Sequence, residues 1–402
     1  MNKSVSIPIN KLMLSLLFAV MLLTPLYEYY KMSVILVLFI IWFTTAITID
    51  KYYLNEALPS IAFLFIVIIL DYFRGVILND TTIMLLGINK MPLLIWPMLL
   101  QFYYKRIQLL KGPLVFAIIA ITVSAVFTLR GNILYAGASR LLAGTVEYYA
   151  NTRKFYRSLN IGGYGLIYGI AFLIMPLMLM LKQKTKSKLL LLFIIILYAI
   201  TIIYASYLIA IIITVFLIAF SLVNVKKKKR IFAFFITVLL LILVFSSIIE
   251  AFFVNIGYAI NSEILVKRVT QLFSGEYIRG YGSSNNRLTI YMNAIKNWLD
   301  RPLLGSLQGG SIEYRRSGHS AFLGYLEQYG LIACLYYWYY FRFYKTTKAY
   351  LRNPILSNHW FTFYMCFCFF ALVDTIDTFG ELGAIIFFVC PAIFLYLDSN
   401  KD

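Results

Sequence analysis

Apolar residues in this chain come in runs of about 16 to 21 positions nearly free of charge, and one such run spans a hydrocarbon core of about 30 Å as a helix. Read with a long hydropathy window, the runs predict about twelve helices, over 12–26, 33–49, 57–70, 91–104, 113–129, 163–181, 189–204, 208–223, 231–249, 319–340, 355–373 and 382–397. The fourth is short and holds Pro92 and Pro97, and the stretch from Arg74 to Lys90 ahead of it reads as interfacial or re-entrant. The first stretch, from Lys3 to Tyr30, has a basic start and an apolar middle but no small-residue cleavage site, so it reads as a retained helix. The predicted fold class is all-α: a polytopic integral membrane protein, one transmembrane domain over residues 1–402.

Composition supports the same class. Apolar residues make up 61% of the 402 residues and charged ones 13%, against about half and a quarter in soluble domains. The net charge of +19 would point to nucleic acid in a soluble chain; in a membrane protein the position of each base matters first. Lys105, Arg106 and Lys111 fill one short connection, Lys182, Lys184, Lys186 and Lys188 a second, Lys226 to Arg230 a third, and Arg342, Lys345, Lys348 and Arg352 a fourth. The positive-inside rule makes these cytoplasmic. Alternation then puts both termini inside and sends two long stretches outside, 130–162 and 250–318. Cys334, Cys366, Cys368 and Cys390 all lie in apolar runs, where they read as small packing residues rather than a disulfide or zinc framework.

The two long stretches carry the candidate chemistry, because most connections in a compact domain are about 4 to 6 residues and long structured ones are usually functional. The first holds Arg130, Arg140, Arg153, Lys154 and Arg157 against Glu147. The second holds Lys267, Arg268, Arg279, Arg287, Lys296, Arg301, Arg315 and Arg316 against five acids. Together that is ten arginines to three lysines. Guanidinium suits bidentate phosphate recognition, so the bias favours an anionic ligand over a merely solvated or headgroup-binding loop. Tyrosines such as Tyr291 and Tyr314 are interleaved with these bases and suit sugar rings, although tyrosine also belts any membrane interface.

Within the second stretch, Leu288, Tyr291, Met292, Ile295, Trp298 and Leu299 form a helical stripe that Pro302 ends. An amphipathic helix with a Ser283–Asn286 cap would set Arg287 in its first turn, where an anion bound to the free amides offsets the dipole cost of a cation. His319 opens the tenth helix just after Arg315 and Arg316, at the outer surface, placed to accept a hydroxyl proton or to hold phosphate. Glu327 lies eight residues on, about 12 Å deeper, divided between structural pairing and support of a site. Asp374, Asp377 and Glu381 crowd a short outer turn and read as hydrated rather than paired; His359 reads as interfacial. No phosphate loop, zinc-type histidine pair or nucleophile elbow is present. The expected site therefore uses no metal and no cofactor.

Two blocks, NRLTIYMNAIKNWLDRPLLG with Arg287, Trp298, Pro302 and Gly305, and HSAFLGYLEQYGLI with His319, Leu323, Glu327 and Gly330, resemble the signature region of the O-antigen ligase and polymerase superfamily. That superfamily includes Wzy-type repeat-unit polymerases and lipopolysaccharide ligases. The resemblance is close over residues 287–331 and loose over the whole topology. It implies metal-independent glycosyl transfer on the outer face of the bacterial cytoplasmic membrane, from a glycan linked to undecaprenyl pyrophosphate, with a chain-length regulator and a flippase as companions. By position Arg287 and His319 match the family's catalytic arginine and histidine. Arg157, in RSLNIGGYG, matches a first-loop arginine, and Tyr314, Arg315, Arg316 and Glu327 fall among the substrate-binding candidates. Ligases usually carry an arginine where this chain reads YASYLIAI around Ser206 and Tyr207, which favours an O-antigen or capsular polysaccharide polymerase over a ligase. A flippase for lipid-linked oligosaccharide is the non-enzymatic alternative, although no internal repeat of the transporter kind is visible.

Overall fold

The computed structural model of the chain describes residues 3–29, 31–142, 150–183, 187–223, 246–274, 284–308, 320–376 and 379–399. Among these residues every regular element is helical. Among the described residues eight helices are long and apolar enough to cross a membrane, and Lys188–Tyr204, Leu208–Leu222 and Ser247–Ala259 are shorter apolar helices. The chain is an all-α membrane protein. Most of the predicted ninth run lies outside the described residues.

The first group of helices is α1 (Lys3–Leu22), α2 (Met32–Ile49), α3 (Tyr53–Ile77), the single turn α4 (Thr81–Met84), α5 (Leu86–Tyr103) and α6 (Lys111–Leu134). Two short helices follow, α7 (Ala138–Leu141) and α8 (Ala150–Ser158), then α9 (Tyr164–Lys182), α10 (Lys188–Tyr204) and α11 (Leu208–Leu222). The second long stretch contains α12 (Ser246–Ala259), α13 (Glu263–Ser274) and α14 (Ser284–Asp300). The chain ends with α15 (Ala321–Tyr329), α16 (Cys334–Ala349), α17 (Pro354–Val373), α18 (Gly380–Ala384) and α19 (Cys390–Ser399).

Burial sorts the bundle into centre and rim. The windows in α9, in α4–α5 and in the last span are 83%, 72% and 89% buried, whereas those in α2 and α3 are 22% and 33% buried. The uncovered side chains on α2 and α3 include Val37, Ile40, Phe65, Ile69 and Phe73. Such a rim suits lipid, since soluble monomers rarely expose apolar patches of that extent. Lipid gives no hydrophobic drive for helix association, so contact dispersion and buried polar links hold the helices, at about 0.6 to 2 kcal/mol per link. One link joins three helices: Asn10 Nδ2 donates to Thr45 Oγ1 at 3.0 Å, Tyr103 Oη donates to Asn10 Oδ1 at 2.6 Å, and Trp42 Nε1 donates to Tyr103 Oη at 3.0 Å.

Several sequence expectations change in detail. Over the stretch from Arg74 to Lys90, α3 runs on to Ile77, Asn79 turns at φ 49°, Asp80 caps α4, and α5 starts at Leu86. Pro92 and Pro97 sit inside α5 without ending it, as neighbouring helices in membranes allow. The tenth run breaks at Gly330 into α15 and α16 through a 3₁₀ turn, and the last span passes through a π turn at Ile385–Val389. His359, near the start of α17, is buried by neighbouring helices.

Three of the four basic connections gather at one end through direct contacts, while Lys226 to Arg230 lies outside the described residues. Gln183 Nε2 donates to Leu397 O at 3.3 Å, Asp398 accepts from the Arg352 and Asn353 amides at 2.8 Å each, and Tyr104 Oη lies 2.8 Å from Thr347 Oγ1. Asp50 pairs with Arg106 at the same connection where Lys105 meets Glu56 at 2.7 Å. Burial raises the Asp50 carboxyl, but the hydrogen bond and charge of Arg106 outweigh this and hold it below the ordinary carboxylate value. A depressed acid stabilises the fold above its unfolded value of about 4 and loses that contribution as pH falls through the folded value. Thermal unfolding in detergent should therefore show a larger drop between pH 6 and pH 3 for the parent than for Asp50→Asn.

Candidate functional site

The opposite end of the bundle is organised around the corner between α17 and α18. α17 stops at Val373, and the Asp374 amide still donates to Phe370 O at 2.8 Å. Asp374 is 5% exposed, so its reading as a hydrated acid is corrected: Tyr168 Oη donates to its Oδ2 at 3.2 Å and the Thr375 amide to its Oδ1 at 3.0 Å. Asp377 lies outside the described residues.

Three other segments close on the same corner. Tyr291, on the predicted apolar stripe of α14, donates its hydroxyl to Val373 O at 2.7 Å. The Ala321 amide donates to Asp374 O at 3.1 Å, and Ser320 caps α15 by accepting from the Leu323 amide at 3.1 Å. Tyr164 Oη donates to Thr375 O at 2.8 Å. Tyr164, Tyr168 and Tyr207 pack as a cluster with centroids 4.5 to 5.9 Å apart. Tyr207 donates to Ser139 O at 2.9 Å, and the Arg140 guanidinium stands 5.1 Å from the centre of its ring. Tyr207 thus faces an arginine from the first long stretch. An arginine over a tyrosine face is a cation–π contact of about 0.5 to 2 kcal/mol.

The predicted site residues fall as follows. Arg287 is in the first turn of α14, about one helical turn before Tyr291, and its side chain is outside the described residues. Arg157 is exposed in the last turn of α8. Glu327 is 3% exposed near the end of α15, where Asn297 Nδ2 of α14 donates to its Oε1 at 2.7 Å. Tyr314, Arg315, Arg316 and His319 lie outside the described residues.

The two sequence blocks meet over a long seam. Beyond the Asn297–Glu327 bond, Ser306 Oγ donates to Gln328 O at 3.0 Å, and the Leu331 amide donates to Pro302 O at 2.8 Å. Gly305 has φ +55°, and a Cβ there would come within 2.5 Å of Glu327 O. Gly330 has φ +57°, and a Cβ there would come within 2.5 Å of the Leu303 carbonyl carbon. Each glycine allows one block's backbone to touch the other's.

Sequence reading missed a buried ionic group one helix length from the corner. Asp71 and Arg74 on α3 and Lys90 on α5 are 0%, 1% and 1% exposed. Lys90 Nζ is 3.1 Å from Asp71 Oδ2 and donates to Tyr329 Oη at 2.7 Å; Arg74 Nη1 donates to Gln328 Oε1 at 3.0 Å. The signal was the pair of opposite charges three residues apart in an apolar run, which becomes costly once the helix is seen to continue through it.

No group of three or more metal-ligating side chains exists among the described residues. No protein-family model matches the chain, and no characterised protein is significantly similar to it.

Proposed function

We propose that the chain is a polymerase of undecaprenyl-pyrophosphate-linked oligosaccharide repeat units, making O-antigen or capsular polysaccharide at the outer face of a bacterial cytoplasmic membrane. The observation that carries the reading is the seam between the two blocks. The helix with Arg287 in its first turn and the helix that follows His319 in sequence are joined by Asn297–Glu327, by Ser306–Gln328 and by the interlocked glycines. Such a seam supports the reading because positioned catalysis needs elements separated in the chain to be held together.

In the proposed step, a free sugar hydroxyl of one lipid-linked repeat unit attacks the anomeric carbon of the growing chain. The new glycosidic bond forms as the bond from that carbon to the pyrophosphate oxygen breaks, and undecaprenyl pyrophosphate leaves with the electron pair. Arg287, with Arg157 and the Arg315–Arg316 pair, stabilises charge on the leaving group. His319 orients the attacking hydroxyl and takes its proton. Tyr314 and Glu327 belong to the substrate side of this site, and the lipid chains enter laterally between helices.

Deletion of the gene should leave single repeats on lipid carriers exposed outside, with long glycan restored on electrophoresis when the gene is returned. Single repeats trapped inside would instead identify a flippase. A maleimide that does not cross membranes should label a lone cysteine at 162 or 318 in intact cells but not at 184, 228 or 348; labelling at 184 or 228 would overturn the sidedness. Polymer formation by the purified protein should survive chelator, and loss restored by magnesium or manganese would contradict a mechanism built on arginine and histidine.

A further inference from the structure

The ionic group of Asp71, Arg74 and Lys90 is more than helix glue in its layout. Glu327, Gln328 and Tyr329 are consecutive, and between them they reach three other helices. Glu327 accepts from Asn297 of α14, Gln328 accepts from Arg74 of α3, and Tyr329 meets both Lys90 of α5 and Asp71 of α3. The Lys90 ammonium is further enclosed by the rings of Tyr325, Tyr329 and Tyr336 at 5.8, 5.2 and 5.5 Å. The helix ends immediately afterwards at Gly330, whose backbone admits no side chain against Leu303.

One carboxylate, Asp71, faces two cations in this group, and Arg74 Nε and Glu327 Oε2 find no hydrogen-bond partner among the described residues. Burying such a set costs more than packing the same junction with apolar side chains, which often equals or exceeds a buried ion pair in stability. What the polar links add is geometry: each holds only at one distance and one angle, whereas apolar contacts tolerate sliding.

We propose that Asp71, Arg74 and Lys90 are positioning residues: they fix the Gln328–Tyr329 end of α15 and, through Asn297–Glu327 and the glycine seam, set the register of α14 and its Arg287. That these helices carry a transferase site rests on the function proposed above; that the ionic group fixes them does not.

The test uses the full chain purified in detergent, with the neutralised set Asp71→Asn/Arg74→Met/Lys90→Met and the single variant Gln328→Met. Neutralising all three charges avoids leaving a lone buried charge, so this variant should keep parent-like thermal stability. Gln328→Met keeps every charge and serves if the neutralised variant folds poorly. Amide hydrogen exchange should quicken by about tenfold in residues 284–308 and 320–333 while α9 stays as in the parent, because local opening is read segment by segment. Unchanged exchange in residues 284–308 in a variant of parent-like stability would overturn the proposal and leave the group as packing alone. In cells lacking the parent gene, the same variants should shorten the glycan at matched abundance. If the parent itself makes no polymer, the transferase reading fails, and the exchange result still decides the positioning claim.

Discussion

Arg287→Lys and His319→Ala should each replace long glycan by single repeats while the protein inserts at normal levels. Lysine keeps the charge at the first turn of α14 but loses the planar fork that grips two phosphate oxygens. Removing one well-placed donor to developing charge typically costs about 10² to 10³ in rate, and removing a general base about 10² to 10⁴. Neither change should unfold the chain. Tyr291, a turn beyond Arg287, keeps its bond to Val373 O, and the Ala321 amide, two residues after His319, keeps its bond to Asp374 O. The readout is glycan electrophoresis at matched membrane abundance. Near-parental chain length for both variants would mean that the basic stretches bind lipid headgroups instead.

Gly330→Ala should strongly destabilise the seam between the two sequence blocks. Its φ of +57° with ψ −137° lies where side chains other than hydrogen are strained, and the added Cβ would meet Leu303 O at 2.6 Å and Leu304 N at 2.6 Å. Backbone strain costs about 1 to 3 kcal/mol and forced overpacking about as much again. Both neighbours are backbone atoms, so no rotamer change relieves the overlap. Gly112→Ala is the matched control, since nothing lies within 4 Å of a Cβ there and the residue is in α6. Thermal unfolding of the purified full chain should drop sharply for Gly330→Ala and hold or rise slightly for Gly112→Ala. Equal behaviour of the two would show that the seam is not close-packed.

How much of this was legible in the sequence depended on which physical signal each feature leaves. The membrane class and most helix positions follow from run length and composition, because lipid imposes both on every residue of a span. The amphipathic helix α14 was legible from its stripe and from Pro302, which closes it: the helix is observed at Ser284–Asp300. Long-range polar partners leave no such local mark. Glu327 was visible as an expensive buried acid, but Asn297 as its partner was not. Asp374 looked like a turn acid in water, and only the fold shows Tyr168 donating to it from α9. Asp71, Arg74 and Lys90 escaped because a long window ends a helix at the first charges it meets, whereas paired charges let the helix continue. The breaks at Gly330 and Ile385–Val389 were equally silent, since apolar content runs straight through them.

Reconstitution of the purified chain in liposomes, with lipid-linked repeat units as the sole substrate, separates a polymerase from a flippase. The expected result is a ladder of longer glycans, with one undecaprenyl pyrophosphate released for each new linkage and no dependence on divalent metal. Movement of intact lipid-linked repeats across the bilayer, with neither ladder nor release, would contradict the polymerase reading.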